Sequence, residues 1–123
     1  MTTNSPEPLA QIDLPSLLER VEGDRELLEE MIQLFADDAP VLLETMRKAL
    51  EQGDMVKLER SAHSMKGAAG NLSANFVMAA ASELEKNAKV NDAEASRASL
   101  ANVEGTVSRL LPVLGEISSG VLK

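Results

Sequence analysis

Cysteine, tryptophan and tyrosine are absent from the 123-residue sequence, which carries two phenylalanines and one histidine. Without cysteine there is no disulfide, thiolate nucleophile or cysteine-ligated zinc, and one histidine cannot form a histidine cluster, so a metal could meet only carboxylates. Cations are in the minority: 12 Lys and Arg stand against 20 Asp and Glu, for a formal net charge of −8. Such a surface repels a nucleic-acid backbone and an anionic membrane, so neither is expected as a partner. No apolar run approaches the ~18 residues of a membrane span. Met1 to Ala10 also lacks the basic-plus-apolar pattern of a signal peptide. A cytoplasmic address is expected, which leaves Asn71-Leu72-Ser73 no use as a glycosylation acceptor.

What the chain does have is 44% hydrophobic residues, and with so few aromatics the core must be built from Leu, Val, Ala and Met, a helix-former's palette. The length suits one domain with one core. Residues 1–11, polar and with two prolines, are expected to be a flexible N-terminal tail, residues 12–119 the domain and residues 120–123 a C-terminal tail. Asp13 can cap a short helix with Pro15 in its first turn and Leu14, Leu17, Leu18 and Val21 as its stripe, closed by Gly23. From Asp24 the pattern Leu27, Leu28, Met31, Leu34, Phe35 resumes beyond Pro40 as Leu42, Leu43, Met46, Ala49, Leu50 and stops at Gly53; Pro40 is expected to kink or divide this helix.

A third helix, capped by Asp54, carries the seam Leu58, Ala62, Met65, Ala69, Leu72. Ser73 or Asn75 can cap a fourth, with Val77, Ala80, Ala81, Leu84 and Ala88 on one face; Asn91 and Asp92 end it and begin another. The last seam is Leu100, Val103, Val107, Leu110, Leu114, Ile117, with Pro112 a second expected kink. Nothing alternates with period two. The fold class is therefore all-α, an antiparallel four-helix bundle with a short additional N-terminal helix.

At about 100° per residue, His63 sits roughly 130° around its helix from the apolar seam and should face solvent. Glu59, Arg60, Lys66, Gly67 and Gly70 fall within about 60° of it on the same exposed strip. A glycine inside a helix costs ~1 kcal/mol relative to alanine, so Gly67 and Gly70 suggest that bare backbone is the useful property there. Gly67, one turn from His63, leaves a depression through which another protein could reach the imidazole. Either glycine could instead serve helix contact, and Lys66 could pair with a neighbouring acid or act as a point charge for phosphoryl oxygens. A neutral imidazole is a competent nucleophile near neutral pH, and its outward Nε2 is the expected attacking atom. Glu59 could set the tautomer by accepting from the ring, although an exposed carboxylate is usually only solvated. Lys86 and Lys89 could add positive potential if their helix lies on the correct side. Ser64 directly follows His63 and projects elsewhere, so the two are no Ser/His nucleophile pair.

The segment Ala62-His63-Ser64-Met65-Lys66-Gly67-Ala68-Ala69-Gly70-Asn71-Leu72 closely resembles the signature of the histidine-containing phosphotransfer (HPt) domain family. The likeness extends to Leu17-Leu18-Glu19-Arg20, Gly23-Asp24, the Phe35 to Pro40 region, Gly53-Asp54 and Leu84-Glu85, and covers roughly Ile12 to Ile117. It implies that His63 accepts a phosphoryl group from a receiver-domain aspartyl phosphate and passes it to another receiver's aspartate. Lys66 matches the supporting position that stabilises charge. Partner docking is expected on Gly67, Gly70, Arg60, Ser64 and Glu59.

The implied partners are response-regulator receiver domains and a hybrid histidine kinase, with the chain itself a monomer. It would be a phosphocarrier, not an enzyme with autonomous turnover; no cofactor or metal of its own is expected, since the receiver supplies Mg²⁺. Ser73 stands where many relatives have glycine, which bears only on the local turn. Two rival functions are a non-phosphorylated helical adaptor and the phosphorylatable domain of a larger chemotaxis-type or hybrid kinase.

Overall fold

The computed structural model describes residues 12–120; the expected tails, residues 1–11 and most of 120–123, lie outside the described residues. The described residues form five helices and no strand: α1 (Leu14–Val21), α2 (Arg25–Gln52), α3 (Met55–Asn71), α4 (Asn75–Lys89) and α5 (Ala93–Ser118). Helix α2 packs on α3 and α5, and α4 on α3 and α5, so the four long helices close a ring around one core, with α1 set against it. Two- and three-residue connections between successive long helices make sequence neighbours run antiparallel.

The helix starts follow the chain's aspartates. Asp13, Asp24, Asp54 and Asp92 each accept the backbone N–H three residues on, satisfying one of the donors that a first turn leaves open. Gly53 ends α2 in the left-handed conformation at φ 73°. Helix α4 departs from expectation: its cap is Ala74, with no side-chain bond, and neither Ser73 nor Asn75 fills that place. Ser73 is instead the left-handed residue of the turn, at φ 54°, and its carbonyl accepts from Asp13 N–H at 2.8 Å, which ties the entry of α1 to the α3–α4 turn.

Pro40 and Pro112 do not divide their helices: α2 and α5 run continuously past both. Each proline lacks the N–H that would meet the carbonyl four residues back, a loss of ~3 kcal/mol in a helix interior. The core-facing rows on both sides of each proline outweigh it.

The seams of α3, α4 and α5 are buried throughout; in α3, Leu58, Ala62, Met65 and Ala69 have no exposed surface. Truncating a large member such as Leu58 to alanine should cost about 2–5 kcal/mol. Helix α2 differs from its sequence pattern. Its buried row is Leu28, Ile32, Phe35, Ala39, Leu43, Met46 and Ala49, while Leu27 and Leu34 are exposed. One stripe at helical spacing contained two adjacent rows, and packing against α3 and α5 selected the row that includes Ile32 and Ala39.

Candidate functional site

Because the α3 seam is turned fully inward, the opposite side of that helix is turned out. The His63 side chain is 68% exposed. Its Nδ1 lies 2.9 Å from Glu85 Oε2, and Lys66 Nζ donates to the other oxygen of the same carboxylate, Oε1, at 2.7 Å. Glu85 stands on α4 one position after the buried Leu84, and so emerges at the edge where α4 meets α3. Two residues three apart on α3 thus converge on one acid of the neighbouring helix.

This geometry fixes the electrostatics. The Lys66 ammonium, hydrogen-bonded to Glu85, holds its carboxyl below the ordinary carboxylate value; partial burial works against this, and the His63 contact adds to it. An ionised carboxylate can only accept, so the proton of the His63–Glu85 bond resides on Nδ1. In the neutral ring the lone pair is then left on Nε2, the atom directed away from Glu85. The acid that sets the tautomer is therefore Glu85 rather than Glu59.

Two depressions are lined by the ring, and a third opens beside its strip of α3. One is lined by Glu59, Arg60, His63, Ser64 and Glu85. A second, of about 490 Å³, brings His63, Lys66, Gly67 and Gly70 together with residues of α1 and the α3–α4 turn. The third is a mainly apolar cleft between α2 and α3, where Met31, Leu34 and Phe35, with Asp38 at the edge, face Ser64, Gly67 and Ala68. His63 and the six other residues singled out in the sequence thus line one or other of the two depressions that include the ring.

The two glycines differ. A Cβ on Gly67 would meet nothing within 4 Å, so that position opens onto free space, whereas one on Gly70 would touch Met78 Cε at 3.6 Å. Gly70 thus faces the end of the Met78 side chain at ordinary contact distance, while Gly67 faces open space one turn from His63. Neither Lys86 nor Lys89 lines any of the three depressions, and Lys86 lies 3.7 Å from Glu83.

Residue-by-residue reading of the sequence missed Glu85 and Arg20, both present only inside wider stretches of resemblance, and the α2 wall of the apolar cleft. The signal for that wall was available: Leu27, Met31 and Leu34 continue at steps of four and three beside the buried row. Among the described residues no group of three acids and histidine could hold a metal ion, and no helix is long and apolar enough to cross a membrane.

The family model for the Hpt domain matches residues 30–112, more than half of the chain. No curated protein matches the chain. Among solved structures, the chain is similar to the HPT domain from the Hpt sensor hybrid histidine kinase from Shewanella, with a TM-score of 0.78 at 18% identity over 91% of this chain and 97% of that one. At that identity the likeness speaks for the fold alone.

Proposed function

This chain belongs to the Hpt domain family, and from that premise we propose that His63 is the atom-bearing residue of a phosphorelay carrier, taking a phosphoryl group from one receiver-domain aspartate and giving it to another. Membership carries histidine phosphotransfer in two-component phosphorelays and interaction with receiver domains. The choice of His63, the roles of its neighbours and the sequence of donors are our reading. The observation that carries it is the bond from Nδ1 to Glu85, which leaves the Nε2 lone pair exposed beside the bare backbone of Gly67.

In the forward step Nε2 attacks the phosphorus of an aspartyl phosphate. The N–P bond forms, the acyl-phosphate P–O bond breaks and the aspartate leaves as a carboxylate. The ring gains positive charge as the bond forms, and Glu85 faces that charge through Nδ1–H. Return of the group to a second aspartate reverses these changes, with neutral imidazole as the leaving group. Lys66, beside the ring, offsets charge on the phosphoryl oxygens.

On this reading each transfer leaves the group on His63 until a second receiver takes it, so the chain acts as a carrier without turnover of its own. It needs no cofactor, because the Mg²⁺ and the acidic pocket belong to the receiver. The apolar cleft of Met31, Leu34 and Phe35 offers the receiver a contact next to the ring. Incubation with a phosphorylated receiver domain and Mg²⁺ should transfer label to this chain. Label retained by His63→Gln would refute the assignment.

A further inference from the structure

The depression that joins α1 to the His63 face has an uneven distribution of charge. Helix α1 and its cap contribute Asp13, Ser16 and Arg20, at steps of three and four, and α3 contributes His63, Lys66, Gly67 and Gly70. Helix α1 is fixed there by its buried side chains Leu14, Leu17 and Val21 and by the bond from Asp13 N–H to Ser73. Arg20 is therefore carried on an anchored helix beside the site.

The only acid lining this depression, Asp13, has its carboxylate engaged by Ser16, whose N–H and Oγ lie 3.2 and 2.8 Å from its two oxygens. The Lys66 ammonium is shared with Glu85, at 2.7 Å from its Oε1. Arg20 is exposed and makes neither an ion pair nor a side-chain hydrogen bond with any described residue. On a chain of net charge −8, it is a cation uncommitted among the described residues, in the same hollow as the His63 ring. A guanidinium fork matches two oxygens of a phosphoryl group, and unlike an ammonium it keeps its charge under all ordinary conditions.

We infer that Arg20, delivered by α1, is a second contact for the phosphoryl oxygens at His63, taking the anionic charge that Lys66, held by Glu85, neutralises only in part. The inference rests on the carrier reading above. It gives α1 a chemical task in addition to covering the end of the core: Arg20 draws charge from the oxygens and so eases the approach of the next nucleophile to phosphorus.

The test uses the full chain phosphorylated on His63, either by phosphoramidate or by a phosphorylated receiver, as wild type, Arg20→Gln and Arg20→Lys. The expected result for Arg20→Gln is transfer to a receiver slowed about tenfold at unchanged KM, with the lifetime of the isolated phosphohistidine lengthened about threefold. Its ³¹P resonance should shift, and Arg20→Lys should keep most of the wild-type behaviour. Thermal unfolding should be unaltered, since Arg20 is exposed. An unchanged ³¹P resonance and lifetime would overturn the proposal, including the case where only KM for the receiver rises, which would assign Arg20 to the partner's surface. If wild type takes label from neither donor, the carrier reading itself falls; if it takes label and Arg20→Gln is indistinguishable from it, only the Arg20 contact falls.

Discussion

Among the described residues, two clusters of charged side chains bridge neighbouring long helices, and they are built in opposite senses. Between α3 and α4 one acid, Glu85, is shared by His63 and Lys66. Between α2 and α5 one base, Arg47, is shared by Glu104 at 2.6 Å and Glu44 at 2.8 Å. In the second cluster the guanidinium is committed to two carboxylates, and the Glu104 hydrogen bond leads the interactions that raise its pKa. In the first, the shared acid engages only one nitrogen of an imidazole and leaves the other in solvent. Similar bonding gives a strut in one place and an unbonded ring nitrogen facing solvent in the other, because the imidazole keeps a second ring nitrogen on the side away from its partner.

The largest expected effect would break that contrast. Glu85→Ala should slow phosphoryl transfer by about 10–100-fold, since the ring loses the partner that fixes its tautomer and faces its developing charge. Glu85→Gln, which can still accept from Nδ1–H, should fall between, and Arg47→Ala should transfer at the wild-type rate. Rapid-quench transfer assays on the three variants measure this, and equal losses at Glu85 and Arg47 would abolish the distinction.

Next in size is Gly67→Gln. It should slow transfer about tenfold by filling the open approach to His63, while raising helix stability by ~0.5–1 kcal/mol. Wild-type transfer in a stabilised variant would count against the access argument. At the turn that joins α1 to the site, Ser73→Gly should stabilise the fold by ~0.5–1 kcal/mol, because glycine adopts the positive φ found there without a Cβ penalty. Chemical denaturation of the pair of proteins decides it. Arg47→Ala should cost less still, below ~1 kcal/mol, since Arg47 and Glu44 are exposed and Glu104 is only half-buried.

The finest test is a titration midpoint. Glu85 is held below the ordinary carboxylate value, chiefly by Lys66. Its bonds are therefore fully present above the ordinary carboxylate range and are lost as pH falls through the lowered value. Carbon-detected NMR of the Glu85 carboxyl should show the depressed midpoint, and Lys66→Met should move it upward. A midpoint unmoved by Lys66→Met would mean that the pair does not hold in solution.

The amino-acid sequence by itself determined the element types, four of the five helix starts and the outward direction of His63. Each of these depends on spacing within a few turns of one helix: aspartate caps act three residues away, and an apolar seam on one side dictates what lies on the other. The repeated apolar steps were legible in α3, α4 and α5 because one row of positions dominated each. In α2, Leu27 and Leu34 competed with Ile32 and Ala39, and only contact with α3 and α5 chose between them.

Tertiary structure alone decided that Glu85, 22 residues beyond His63, would reach its ring, that Arg20 would share its hollow, and that packing would carry α2 and α5 unbroken past their prolines. The physical reason is that helical periodicity fixes directions around a helix's own axis, whereas the side on which a neighbouring helix lies is settled by the simultaneous burial of every seam in the ring.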